Sequence, residues 1–143
     1  MPYRIRWEGH GVYRRFFGVI SASEFLDAYK EMSGDIRFDF VRYIISDFLE
    51  ARKSPEVAER DAKAFAALER LNFYSAPNIV NAAVATDEEI LAHLRYFESL
   101  HLSPYPLGIF STVAEARAWI ASNPRRYLPL GVNAVSSSPN ALR

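Results

Sequence analysis

The 143-residue chain contains no cysteine, which removes disulfide staples, thiolate nucleophiles and thiolate metal sites at once. It also has no charge bias, with 17 basic residues against 17 acidic ones. Such a chain projects no net field that would steer it to nucleic acid or to an anionic membrane. No apolar run reaches the roughly 18 residues that a spanning helix needs. The opening "MPYRIRWEG" lacks the basic-then-apolar pattern of a secretory signal. Histidine is scarce: His10 falls in a turn, and His93 and His101 are eight residues apart, about 80° out of line on one helix. No His-x-His or His-Glu-x-x-His spacing offers a metal site, and there is no Gly-x-Ser-x-Gly elbow or phosphate-binding glycine loop. These absences predict a cytoplasmic protein without enzymatic activity. They also predict no metal, no cofactor, no nucleic-acid partner and no contact with membranes.

What is present is ordinary globular material, 50% apolar and 24% charged. A chain of this length buries about two-thirds of its unfolded surface as a single domain. "YRIRWEG" and "GVYRRFFGVI" flank a turn around Gly9 and His10 and read as a β-hairpin. Pairing Trp7 with Val12 and Ile5 with Arg14 puts Tyr3, Ile5, Trp7, Val12 and Phe16 on one face. Arg4, Arg6, Tyr13 and Arg15 share the other, where a solvated face is the plain reading and a patch for an acidic partner or RNA the sharper one.

Helical and extended patterns then alternate. Ser21 and Glu24 have capping-box spacing ahead of a stripe of Phe25, Leu26, Tyr29 and Met32, and Gly34 stands where that helix ends. "VRYIISDF" is a strand. Ser54 followed by Pro55 predicts the start of a helix, with Val57, Ala58, Asp61, Ala62, Phe65 and Leu68 along one side. "NIVNAAVAT" is a short strand of the kind buried on both faces. Thr86 with Glu89, and Thr112 with Glu115, repeat the capping box for two further helices, and "YPLGIFS" lies between them as the last strand. The order predicts an α/β fold: a five-stranded mixed, mostly parallel sheet with an N-terminal β-hairpin and about four helices. From residue 124 to 143 no period is sustained, which predicts an irregular tail.

The candidate functional residues gather around "SDFLEARKSPEV". Asp47 is expected at the carboxyl end of its strand, where open α/β sheets bind ligands. Arg52, Lys53 and Thr86 are expected to join it in a polar crevice. Ser54, beside Arg52 and Lys53 at a helix N-terminus, is a candidate phosphorylation site. Each also has a structural role to offer: a turn-stabilising aspartate, a helix cap, a dipole complement. The many aromatics read first as core, and second as the roof of an apolar ligand cavity or as a subunit contact.

The opening "YRIRWEGHGVYRRFFGVISASEFLDAY", with "GDIRFDFVRYIISDF", "NIVNAAVATDEEI" and "VAEARAWI", resembles the STAS-like, or SpoIIAA-like, group and within it the uncharacterised stand-alone bacterial proteins. The resemblance implies a STAS-like domain over residues 1–123. It also implies a regulatory module that docks a protein partner through residues 47–60, with homodimerisation expected as well. Antagonist members of that group carry an Asp-Ser pair, a small residue and a glycine at the start of the helix after this strand, and phosphorylation of that serine controls partner binding. Here the matching stretch is Arg52-Lys53-Ser54-Pro55-Glu56, which keeps the serine and lacks the aspartate and the glycine. Binding of a small apolar, lipid-like ligand is the second expectation, and hydrolysis using Asp47 the last.

Overall fold

Trp7 pairs with Val12 and Ile5 with Arg14 in the computed structural model, which describes residues 2–122. The expected tail lies outside the described residues. Strand β1 (Tyr3–Trp7) runs antiparallel to β2 (Gly11–Ile20). The strands β3 (Tyr43–Lys53), β4 (Val80–Val84) and β5 (Leu107–Phe110) follow in spatial order, each parallel to its neighbour. Gly11 is required by the approach of Tyr43, whose ring would stand 2.3 Å from any Cβ placed there. The tyrosine's hydroxyl passes over it and donates to Glu8 Oε1 at 2.5 Å.

Helices α1 (Ala22–Ser33), α2 (Glu59–Asn72) and α3 (Glu88–Leu100) cover one face of the sheet, and α4 (Val113–Ser122) covers the other over β3 to β5. Between α1 and β3 lies a 3-10 turn, Ile36–Phe40, that the apolar pattern does not announce. Under α1 to α3, Phe16 is fully buried and stacks on Phe48 with ring centroids 4.9 Å apart. Burying one such ring contributes about 1.5–3 kcal/mol. The expected all-round burial of β4 is met by Val80, Ala82, Ala83 and Val84.

The capping box of α1 forms as the spacing predicts: Glu24 N–H donates to Ser21 Oγ at 3.1 Å and Ser21 N–H to Glu24 Oε1 at 2.9 Å. Thr112 likewise accepts the Glu115 N–H at 3.1 Å. Two expected helix starts are displaced. Asp87, not Thr86, caps α3 through the Ile90 N–H, so the helix starts one residue later, with a carboxylate whose charge suits the helix dipole. Ser54 does not open α2. The ladder continues past the expected end of β3, with Ser54 N–H donating to the Ile20 carbonyl at 3.0 Å. Ser54 O then accepts the Val57 N–H at 3.1 Å, closing a turn with Pro55 at its second position, a place where proline's fixed φ is as useful as it is in a helix. The helix begins five residues after Ser54, and its first orphan donor, Ala58 N–H, is met by Asp61 Oδ2 at 2.8 Å.

The added length of β3 carries a β-bulge. Arg15 pairs with Asp47 but Phe17 pairs with Glu50, so one extra residue is inserted on β3. A one-residue shift exchanges the faces of everything beyond it. Ile44, Ser46 and Phe48 point to the α1–α3 side, and past the bulge Ala51 takes that side instead of Glu50.

Candidate functional site

A cavity of about 160 Å³ lies between the sheet and helices α1, α2 and α3. Its walls are mostly aromatic and aliphatic: Phe25 from α1, Phe65 from α2, Ile90, Leu94 and Phe97 from α3, and Phe48 from the sheet. The rings interlock, Phe25 meeting Phe65 edge-on at 5.0 Å and Phe65 meeting Phe97 at 5.8 Å. Polar side chains interrupt this lining: Arg14 on β2, Ser46 on β3, Asn81 on β4 and Glu69 on α2, with Ser21, Arg52, Lys53, Asp61 and His93 also at its wall.

Arg14 is 3% exposed. Its Nη2 donates to Ser46 Oγ at 2.7 Å, and the guanidinium carbon lies 5.3 Å from the Phe16 ring and 5.2 Å from the Phe25 ring. Nε and Nη1 are buried with no hydrogen-bond partner among the described residues. Burial pulls the guanidinium down to about 10, against the opposing influence of Glu69 and Tyr29, and it stays charged at neutral pH.

Glu69 is 2% exposed. Asn81 Nδ2 donates to Oε2 at 3.1 Å and Ser103 Oγ to Oε1 at 2.6 Å. Burial pushes the carboxyl up to about 7, with Ser103, Asn81 and the Arg14 charge working the other way. No ion pair within 4 Å joins Arg14 to an acid among the described residues.

The residues expected to act together are not brought together. Arg52 and Lys53 do reach the cavity rim. There Arg52 Nη1 lies 3.5 Å from Asp87 Oδ1, and Lys53 Nζ donates to the Val57 carbonyl at 3.1 Å. Asp47 is not at a strand end. It lies within β3 with its side chain on the α4 side, accepting from the Tyr13 hydroxyl and, at 3.0 Å, from the Leu49 N–H. Leu49 has no ladder partner in the bulge, so the carboxylate satisfies the donor that the extra residue releases. Burial, with Asp47 as acceptor, pushes the Tyr13 phenol up to about 12. Ser54 is buried in its turn with its hydroxyl donating to Glu56 Oε1, and Thr86 is exposed one position before the α3 cap.

Ser46 accepts from a guanidinium, which lowers its nucleophilicity, whereas a serine nucleophile needs a base. No group of three His, Cys, Asp or Glu among the described residues can hold a metal ion. His93 lines the cavity, and burial lowers its pKa. No helix among the described residues is long and apolar enough to cross a membrane.

No protein-family model matches the chain, and no curated protein matches it. Among solved structures, the anti-sigma factor antagonist SpoIIAA in its unphosphorylated form aligns with 85% of this chain and 99% of its own, at 14% identity and a TM-score of 0.57. The fold is SpoIIAA-like. An uncharacterised DUF3478-family protein with a SpoIIAA-like fold, from Shewanella loihica PV-4, aligns with 82% of this chain and 93% of its own, at 13% identity and a TM-score of 0.51. The sequence resemblance to the STAS-like group is therefore met at the level of fold. On this SpoIIAA-like frame the cavity residues Arg14, Ser46, Glu69 and Asn81 escaped the sequence reading. Two of them left a signal. Register puts Arg14 on the same face as Val12 and Phe16, and Glu69 continues the helical spacing of Ala62, Phe65 and Ala66. A charge on an inward stripe is the mark of a buried polar site.

Proposed function

We propose that this protein is a non-enzymatic binding domain that takes a small, largely apolar ligand between its sheet and helices α1 to α3. The observation that carries the reading is the aromatic-lined cavity of about 160 Å³ with a few polar groups in its wall, the usual composition of a small-molecule site. For scale, an engineered apolar cavity of about 150 Å³ binds benzene. The test is a toluene titration of the isotopically labelled full chain, followed by NMR. Shifts centred on Phe25, Phe65 and Phe97 are expected, and Leu94→Trp, which fills the cavity, should abolish them. If saturating toluene moves none of these resonances, the reading fails.

Regulatory docking of a protein partner through residues 47–60 is the second reading. Its support is the likeness to SpoIIAA, an anti-sigma factor antagonist. It ranks lower because Ser54 already spends its hydroxyl on Glu56 and because Asp47 is enclosed on the α4 side. Co-purification from a native lysate that is lost on reversing the charges of Arg52 and Lys53 would favour it.

A further inference from the structure

We infer that the ligand of this cavity is a small apolar monocarboxylate, an aromatic or short-chain acid, with Arg14 as its counter-ion. The inference rests on the cavity-binding reading and names the head group that reading leaves open.

An ionised side chain taken out of water is stable only when paired and hydrogen-bonded. Arg14 is 3% exposed, yet its Nε carries one N–H and its Nη1 two, all without an acceptor among the described residues. Buried polar atoms are matched in the great majority of cases, so three idle donors on one charged group call for a missing partner. Glu69 does not fill that place: no ion pair within 4 Å joins it to Arg14, its oxygens are turned to Asn81 and Ser103, and burial raises its carboxyl to about 7.

The cavity supplies the remaining constraints. Arg14 is part of the wall that also holds Phe25, Phe48, Phe65 and Phe97, so a group that reaches the guanidinium carries an apolar body behind it. The volume matches one aromatic ring or a short chain. Arg14 is the one buried Arg or Lys among the described lining residues; Arg52 at the rim pairs with Asp87 and Lys53 is bonded to a carbonyl. A monoanion neutralises that charge, whereas a phosphate dianion would leave a second charge buried. Carboxylate geometry also suits the planar fork of a guanidinium. Nε and Nη1 are shielded, with the Phe25 ring 5.2 Å from the guanidinium carbon, so the head reaches them only once side chains of the lining shift. Ser46 is the positioning residue, holding Nη2 and with it the plane of the group.

The test is calorimetric titration of the full chain with benzoate and with benzyl alcohol, which share a ring and differ in the head. Benzoate should bind at least about tenfold more tightly, a difference one charge-assisted pair readily supplies. Arg14→Met should erase that preference while leaving benzyl alcohol binding. A preference that survives Arg14→Met, or equal binding of the two probes by the wild type, overturns the head assignment and leaves the cavity reading standing. Failure of toluene, benzyl alcohol and benzoate alike overturns both. Should Arg14→Met not fold, the arginine Nε–H resonances of the wild type decide: benzoate should shift that of Arg14 and benzyl alcohol should not. An Arg14 resonance unmoved by bound benzoate sinks the inference.

Discussion

Arg14 Nη2 donates to Ser46 Oγ at 2.7 Å across the adjacent strands β2 and β3, while Nε and Nη1 of the same guanidinium have no acceptor among the described residues. A buried charge held by one neutral hydroxyl is a poor device for stability. That asymmetry separates a binding arginine from a structural one by measurement.

Ser46→Ala should lower stability by about 1–3 kcal/mol, because it strips the buried guanidinium of its bond. Arg14→Met should be close to neutral or stabilising, since it replaces an incompletely paired buried charge with a side chain of similar length. Urea denaturation of both variants checks the pair. An Arg14→Met protein destabilised by more than about 2 kcal/mol would mark the arginine as part of the framework.

Glu69 predicts a pH dependence of opposite sign to that of a salt-bridged acid. Its carboxyl titrates near 4.5 when unfolded and at about 7 when folded, raised chiefly by burial. Between those values the folded state keeps a proton that the unfolded state releases. Stability therefore falls as pH rises from 4.5 to about 7, by on the order of 2–3 kcal/mol. Glu69→Gln should flatten that slope, and denaturant midpoints at about pH 5 and pH 8 measure it.

Glu8 behaves in the ordinary way. Arg117 donates to both of its oxygens, at 3.1 and 2.8 Å, and lowers its pKa to about 2, with Tyr43 and Arg6 adding to the effect and burial opposing it. The stabilisation is complete above pH 4.5 and is lost as pH falls toward 2. Arg117→Met should cost on the order of 1–2 kcal/mol at neutral pH, allowing for solvent screening, and should move acid unfolding to higher pH. Circular dichroism during an acid titration reads both effects.

Asp47→Ala should destabilise by about 1–3 kcal/mol, because the Tyr13 hydroxyl and the Leu49 N–H both lose their acceptor. Toluene binding should be unchanged, since Asp47 faces α4. If the variant keeps its stability and loses toluene binding, Asp47 belongs to the site.

The missed side chains and the misplaced ones have related causes. Ser46 and Asp47 are neighbours in one strand, so they face opposite sides of the sheet. The acidic one is the more conspicuous candidate by residue type, but the cavity receives the other. Ser54 before Pro55 suits a helix start and a turn equally well, so residue type alone does not choose between them. Only the Ser54 N–H reaching the Ile20 carbonyl, a partner 34 residues earlier, decides between them.

Periodicity and capping chemistry are local, and they determined on their own the hairpin register, the alternation of strand and helix, the α1 and α4 starts and hence the SpoIIAA-like sheet. The bulge in β3, the burial of Arg14 and Glu69, and the space between the aromatic rings belonged to the tertiary structure. Each depends on residues far apart in the chain meeting across strands and helices, where a side chain's partners, and not its type, decide whether its charge is satisfied.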